Sequence, residues 1–207
     1  MRVRPVSFSV LVDQLADRIA DLGSSRLRVL IDAAPAARPA DLADALVAPL
    51  RLRGRSVLRV SAKDFLRPAS LRFERGRADP DSYFDDWLDF GGLAREVLDP
   101  AGPDGTGSVL PSLWNADTDR ASRASYVDVP EHGVVLLDGA LLLGRWLPFE
   151  LTVHLDLSPA ALRRRTPADE HWTLPAFDRY RAEVEPATVA DVVVRVDDPN
   201  HPAIVDT

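Results

Sequence analysis

The sequence predicts a doubly wound α/β fold, on three observations. Apolar runs at 27–31, 56–60, 134–137, 151–155 and 192–196 are rich in Val, Leu and Ile with little alternation, the pattern of parallel strands covered on both faces. Segments with helical spacing lie between them, so strand and helix alternate along the chain. Neither side of the Gly/Pro-rich stretch at 99–112 holds enough strands for a sheet of its own, which makes residues 1–207 one expected domain.

The elements follow in order. Phe8, Leu11, Leu15, Ile19 and Leu22 recur at spacings of three and four, so the chain opens with an amphipathic helix ended near Gly23. After the first strand a short loop enters a helix over 39–50, with Leu42, Ala45, Leu46 and Leu50 on its apolar face. Pro39 suits the first turn of that helix, and Pro49 is expected to bend or end it. A long helical pattern covers 80–98. The Gly, Pro and Asp of 99–112 read as a surface loop, and the weakly apolar stretch to Val129 as a hairpin. Helices at 159–165 and 174–184 separate the last two strands.

Composition narrows the chemistry. With 207 residues, 46% of them apolar, the chain can bury a full core. A formal charge of -7 provides no global basic field for nucleic acid or an anionic membrane, so neither is an expected partner. The N-terminal stretch carries acids inside its apolar part, unlike a signal peptide or a membrane span, and a cytoplasmic location is expected. There is no cysteine, and the four histidines lack metal-ligand spacing. Carboxylates, arginines, hydroxyls and Lys63, the one lysine among 25 basic residues, are left to do any chemistry.

Several segments in sequence order resemble the uridine kinase family, especially its actinobacterial members: "RVLID" leading into a loop and helix, "SAKDFLRP", "RFERGRADPDSYFDDWLDFGGLAREVLDPAGPDG", "VVLLDGALLL", "LTVHLDLSPAALRRR" and "ADVVVRVDDP". The resemblance spans most of the chain and is most specific from Asp64 to Gly105. It implies a P-loop kinase-like three-layer αβα fold with a parallel five-stranded sheet. It also implies a nucleoside-side hairpin, an arginine-bearing lid at about 159–185, and magnesium-dependent transfer of the ATP γ-phosphate to a nucleoside 5′-hydroxyl.

The phosphate loop departs from that pattern. A P-loop reads G-x-x-x-x-G-K-[ST], its backbone N–H groups wrapping the β-phosphate, its lysine reaching the β/γ-phosphates and its hydroxyl holding magnesium. On that frame the chain presents Ala33, Ala34, Pro35, Ala36, Ala37, Arg38, Pro39 and Ala40, a degenerate Walker A in which every signature position is replaced. Pro39 takes the lysine position and removes a backbone donor, and Ala40 cannot ligate magnesium. The ATP and magnesium that the resemblance implies thus lose their contacts, and the cofactor is left open.

The resemblance supplies the remaining candidates. Lys63 falls where the family carries its carboxylate base, with Asp64 following; strand alternation turns neighbouring side chains in opposite directions, against a simple exchange of the two. Lys63 is read as a salt-bridge partner of Asp138 or Asp64, or, if desolvated, as a low-pKa amine. The acid expected on the ribose hydroxyls falls at Ala78, beside Asp79. Asp138 ends a buried strand, either near magnesium and the reacting phosphates or as a turn-capping acid beside Gly139. Arg163, Arg164 and Arg165 correspond to the start of the lid, as phosphate clamps or as a solvated helix face. Trp114 lies on the expected hairpin, to stack a base or to fill the core. Arg67, Arg75 and Arg77, with Phe65, Phe73 and Tyr83 interleaved, suit an anionic ligand or pair with Asp79, Asp81, Asp85 and Asp86. Asp32, closing the first strand, is expected to position the loop that follows it.

Three functions are compatible with these residues. The first is a pseudokinase that binds a nucleoside, nucleotide or small anionic ligand without ordinary ATP-dependent transfer. The second is an active enzyme of small-metabolite chemistry with a relocated site at Lys63, Asp64 and Asp138. The third is an interaction subunit, which brings with it an apolar patch or a stable oligomer such as a homo-oligomer.

Overall fold

A computed structural model describes residues 2–23, 25–199 and 201–206. The chain opens on a strand, β1 (Arg2–Pro5), followed by helix α1 (Phe8–Ala20). The Ser7 hydroxyl caps α1 by accepting the Val10 N–H, and Leu11, Val12, Leu15, Ala16 and Ile19 form the buried stripe. Leu22 lies beyond the helix and is exposed. Strand β2 (Leu27–Asp32) leads through a 3-10 turn, Pro35–Ala37, into α2 (Pro39–Leu52). Pro49 does not end this helix, which continues to Leu52. The proline falls in the last turn, where the helix ends anyway through Arg53 and Gly54, the latter at φ +78°.

Beyond β3 (Val57–Ser61) the pattern over 80–98 is not one helix. Short helices α3 (Ala69–Arg72), α4 (Pro80–Asp85) and α5 (Phe90–Leu93) appear, the last running into a π-helical turn, Ala94–Leu98. The break between α4 and α5 is set by backbone bonds to an earlier segment of the chain. The Arg67 N–H donates to Trp87 O (2.8 Å) and the Asp89 N–H to Phe65 O (2.9 Å), drawing the segment into a bridge between Leu66 and Leu88. The Asp89 carboxylate then restarts the helix by accepting the Gly92 N–H at 2.8 Å.

The expected hairpin is present as two small ladders. Strand β4 (Ser108–Val109) pairs with β7 (Val127–Asp128), and between them β5 (Trp114–Asn115) pairs with β6 (Arg120–Ala121). Strands β8 (Val134–Gly139) and β9 (Leu151–Asp156) follow, then α6 (Pro159–Arg165), α7 (Leu174–Glu183) and α8 (Pro186–Val189). The chain closes with β10 (Val192–Arg195) and β11 (Ala203–Asp206).

The sheet runs β1-β11-β10-β9-β2-β8-β3. Its five parallel strands are those expected from the apolar runs, in the order β10-β9-β2-β8-β3. Two further strands, β11 paired antiparallel to β10 and β1 paired antiparallel to β11 at the edge, extend it to seven. Register sorts the side chains at the C-terminal edge, because alternate residues face opposite sides. Asp32 lies beside Gly139 and His154 on the face covered by α7, whereas Ser61 and Asp138 lie beside one another on the face covered by α2.

Asp32 has no solvent exposure. Its carboxylate accepts the Leu142 N–H (2.9 Å), the Tyr180 hydroxyl (3.1 Å) and His154 Nδ1 (2.8 Å), and the Tyr180 oxygen accepts the Leu143 N–H (2.9 Å). An ionised carboxylate only accepts, so the imidazole proton lies on Nδ1. Burial first, and the Asp32 charge second, hold the Tyr180 phenol far above its ordinary value. Instead of serving the loop that follows it, Asp32 ties β2 to β9, to α7 and to the segment after β8. Asp32→Ala would leave several buried donors without an acceptor and is expected to cost about 3–5 kcal/mol. Tyr180→Phe should cost about 1–2 kcal/mol. Urea unfolding checks both, with a larger loss for Tyr180→Phe contradicting a carboxylate-centred network.

Candidate functional site

The C-terminal ends of β2, β3 and β8 bring together the loop 33–40, the turn after β3 and Asp138. The Ala33 N–H donates to Gly139 O at 2.8 Å. Within the 3-10 turn the Ala37 N–H donates to Ala34 O and the Arg38 N–H to Pro35 O, both at 2.9 Å. Arg38 sits at φ 54°, ψ 59°, in the left-handed region that a glycine would occupy without penalty. Its guanidinium reaches Asp41 at 3.2 Å, an exposed pair, and Pro39 is the buried first residue of α2.

Asp138 is 3% exposed and already has partners. Its carboxylate accepts Arg59 Nη2 at 2.7 Å and the Ser61 hydroxyl at 3.1 Å. Arg59 continues to Asp44 on α2 at 2.8 Å and to Leu136 O at 2.8 Å. The salt bridge expected from Lys63 is thus made by Arg59. Among the described residues Lys63 makes no ion pair, and its side chain is exposed.

Residues Ala62–Phe65 form a 3-10 turn, so the strand alternation that separates Lys63 from Asp64 does not apply there. Asp64 is half-buried, and its carboxyl makes no hydrogen bond among the described residues. Desolvation chiefly, and the Asp138 charge in addition, raise its pKa above 3.8, with Lys63 acting in the opposite sense. The candidate base among the three acid and amine positions is therefore Asp64.

The arginines divide into two groups. Around α3 and α4, Arg67 donates to Asp86 O at 3.3 Å, Arg75 stands 3.9 Å from the Asp86 carboxylate, and Arg77 lies 5.1 Å from the Phe73 ring centre. Asp79 caps α4 through the Ser82 N–H (2.6 Å), while Asp81 and Asp85 pair with Arg179. Tyr83 packs edge-on against Trp87, Trp172 and Phe177, and burial, then the charge of Glu170, pushes its hydroxyl up to about 12. Trp114 is not core: it is half-buried on the β5–β6 hairpin, its indole N–H donating to Asp119 at 3.1 Å.

The second group lies on α6, which packs against the 35–37 turn. Arg163 and Arg164 are exposed and line, with Arg165, Thr166 and His171, an open concavity of about 770 Å³. Arg165 differs from them in donating to the carbonyls of Val196 and Asp197. A second concavity of about 480 Å³, which no sequence pattern indicated, is lined by Phe8, Leu11, Ala37, Arg38, Leu155 and Pro199. Among the described residues no group of three or more acidic or histidine side chains is arranged to hold a metal ion, and no helix is long and apolar enough to cross a membrane.

The raised pKa of Asp64 has a signed consequence. Its folded value lies above its unfolded one, so the ionised group destabilises the fold; that penalty is absent below about pH 3.8 and complete above the folded pKa. Asp64→Asn is expected to stabilise the protein at neutral pH, with the gain vanishing in acid. Urea midpoints for both proteins across that pH range check this.

No family model matches the chain, and no curated protein matches it. Solved structures do. A protein described as a possible uridine kinase from Bacillus stearothermophilus superposes with a TM-score of 0.72 at 22% identity, over 89% of this chain and 97% of that one. A protein provisionally described as a fructose transport system kinase from Silicibacter sp. TM1040 gives 0.60 at 20% identity, over 86% and 94%. These likenesses establish the architecture: the chain has the P-loop kinase-like αβα fold, with a mostly parallel central sheet.

Proposed function

We propose that this is a uridine kinase-like protein that has lost the ATP phosphate-binding loop. On this reading it binds a nucleoside, nucleotide or small anionic ligand without ordinary transfer of the ATP γ-phosphate. The observation that supports it is the use of the loop amides. The N–H groups of Ala33, Ala37 and Arg38 are spent on neighbouring carbonyls, and Pro35 and Pro39 have none to offer. A β-phosphate would meet few free donors there, no lysine and no hydroxyl. Asp138, the carboxylate nearest a magnesium position on this reading, is already paired with Arg59. Residues of this kind do not fit a magnesium nucleotide.

A second reading is favoured by Asp64 alone. A half-buried carboxyl with a raised pKa and no hydrogen bond is suited to take a proton from a ligand hydroxyl. On this reading the protein is an enzyme whose chemistry does not draw on a β-phosphate cradle, with Arg67, Arg75 and Arg77 facing an anionic substrate. Lys63, exposed, would contribute charge and not a nucleophile.

Thermal denaturation with nucleosides, anionic metabolites and ATP, each with and without magnesium, tests the binding that both readings require, because a ligand of the native state must raise its stability. Uridine, cytidine or an anionic metabolite is expected to raise the midpoint, and magnesium ATP to leave it unchanged. Phosphate transfer from ATP to uridine would overturn the first reading. Unchanged turnover of an identified substrate in Asp64→Asn would overturn the second.

A further inference from the structure

Helices α1 and α2 pack side by side, and where their first turns meet the ends of β9 and β10 they leave the concavity of about 480 Å³. Phe8 and Leu11 line it from α1, Leu42 from α2 and Leu155 from β9. Ala36 and Ala37 line it from the 3-10 turn, so two of the residues that stand on the phosphate-loop frame contribute methyl groups to its wall. Leu11, Leu42 and Leu155 are buried. Phe8 continues the apolar spacing of Leu11, Leu15 and Ile19 yet is 41% exposed, because this side of its ring meets the cavity and not another side chain of the core.

The polar groups around this cavity are already engaged. Arg38 and Asp41, at its rim, pair with one another at 3.2 Å, so their charges cancel. The terminal nitrogens of Arg165 donate to the carbonyls of Val196 and Asp197. Of the backbone donors, the Leu11 N–H bonds to Ser7 O, those of Ala37 and Arg38 to Ala34 O and Pro35 O, and that of Val196 to Asp156 O. Among the described residues no hydroxyl, side-chain amide or imidazole lines the cavity. A nucleobase or an anion entering here would give up hydration without recovering hydrogen bonds, whereas an apolar molecule has none to lose. The volume falls within the roughly 300–1,000 Å³ of small-molecule sites, whose walls are mostly apolar.

We propose that this cavity binds a small uncharged aromatic molecule of one or two rings. The ring of Phe8 gives such a ligand an edge-to-face partner, and Leu11, Leu42 and Leu155 form the apolar floor beneath it. The turn at 35–37 then has a use that needs no glycine, lysine or free amide: its alanines face an apolar ligand. This ligand is distinct from the nucleoside or anion proposed above, and neither depends on the other.

The test follows the alanine methyl resonances of the full chain labelled with ¹³C at those methyls, with Ala36 and Ala37 identified by their loss in Ala36→Gly and Ala37→Gly. Toluene, sodium benzoate and adenosine are titrated at constant ionic strength; toluene and benzoate differ only in exchanging a methyl group for a carboxylate. Toluene is expected to move both methyl resonances saturably through its ring current, and benzoate and adenosine to leave them in place at the same concentrations. Ala37→Leu, which fills part of the cavity, should weaken toluene binding by at least about tenfold. Phe8→Ala, a change at a half-exposed position, should weaken it roughly fivefold. Methyl resonances that toluene leaves unmoved, or moves without saturation, overturn the site. So does an equal response to benzoate or adenosine, or toluene affinity unchanged in both Ala37→Leu and Phe8→Ala. A rise in the thermal midpoint with uridine or an anionic metabolite would survive any of these failures, so the apolar site and the reading of a nucleoside or anionic ligand fall separately.

Discussion

The buried carboxylate of Asp32 is the constraint on which the C-terminal edge of the sheet depends. A charge without solvent must collect donors, and those it collects come from three separate parts of the chain: the segment after β8, strand β9 and helix α7. Once they are in place, Leu142 and Leu143 are fixed above the central strand and the segment bearing α6 and α7 is tied to the sheet. Hydrophobic burial brings these elements into contact but does not distinguish one register from another as sharply as a shared carboxylate does.

The opposite face of the same edge is organised by Arg59. It joins α2, β3 and β8 through Asp44, the Leu136 carbonyl and Asp138. The consequence is electrostatic: the most buried carboxylate on that face is compensated from within the protein. Between the two faces runs the loop 33–40, whose backbone keeps a left-handed turn at Arg38 despite a strain of about 1–2 kcal/mol for a residue with a Cβ. The loop thus makes a left-handed turn without a glycine, and its Ala33, Ala37 and Arg38 amides make internal bonds. What remains without a hydrogen bond among the described residues is Asp64, which feels the charge of Asp138 and, in the opposite sense, that of Lys63.

The sequence made the parallel core legible because Val, Leu and Ile runs without alternation belong to strands buried on both faces. Strands β1 and β11 were not legible: each is four residues long at an antiparallel edge, and "RVRP" carries two arginines and a proline. The helical pattern over 80–98 concealed a break because Trp87 and Leu88 continue the apolar spacing, while the interruption is set by backbone bonds to Arg67 and Phe65, far back in the chain. At the site, the loop substitutions were plain from the residues. The choice between Lys63 and Asp64 was not, since it turns on a 3-10 turn replacing a strand end. Arg59 was invisible because its role arises from register and burial, and nothing in charge spacing distinguishes it from the other basic residues.

Amide chemical shifts report directly on the loop that follows Asp32. In a titration of the ¹⁵N-labelled protein with magnesium ATP, amides of a working phosphate cradle move strongly as the β-phosphate takes their hydrogen bonds. Because the Ala37 and Arg38 amides already donate to Ala34 and Pro35, their resonances are predicted to stay in place through the titration. Saturable shifts at Ala37 and Arg38 would contradict the account and restore the loop as a nucleotide site.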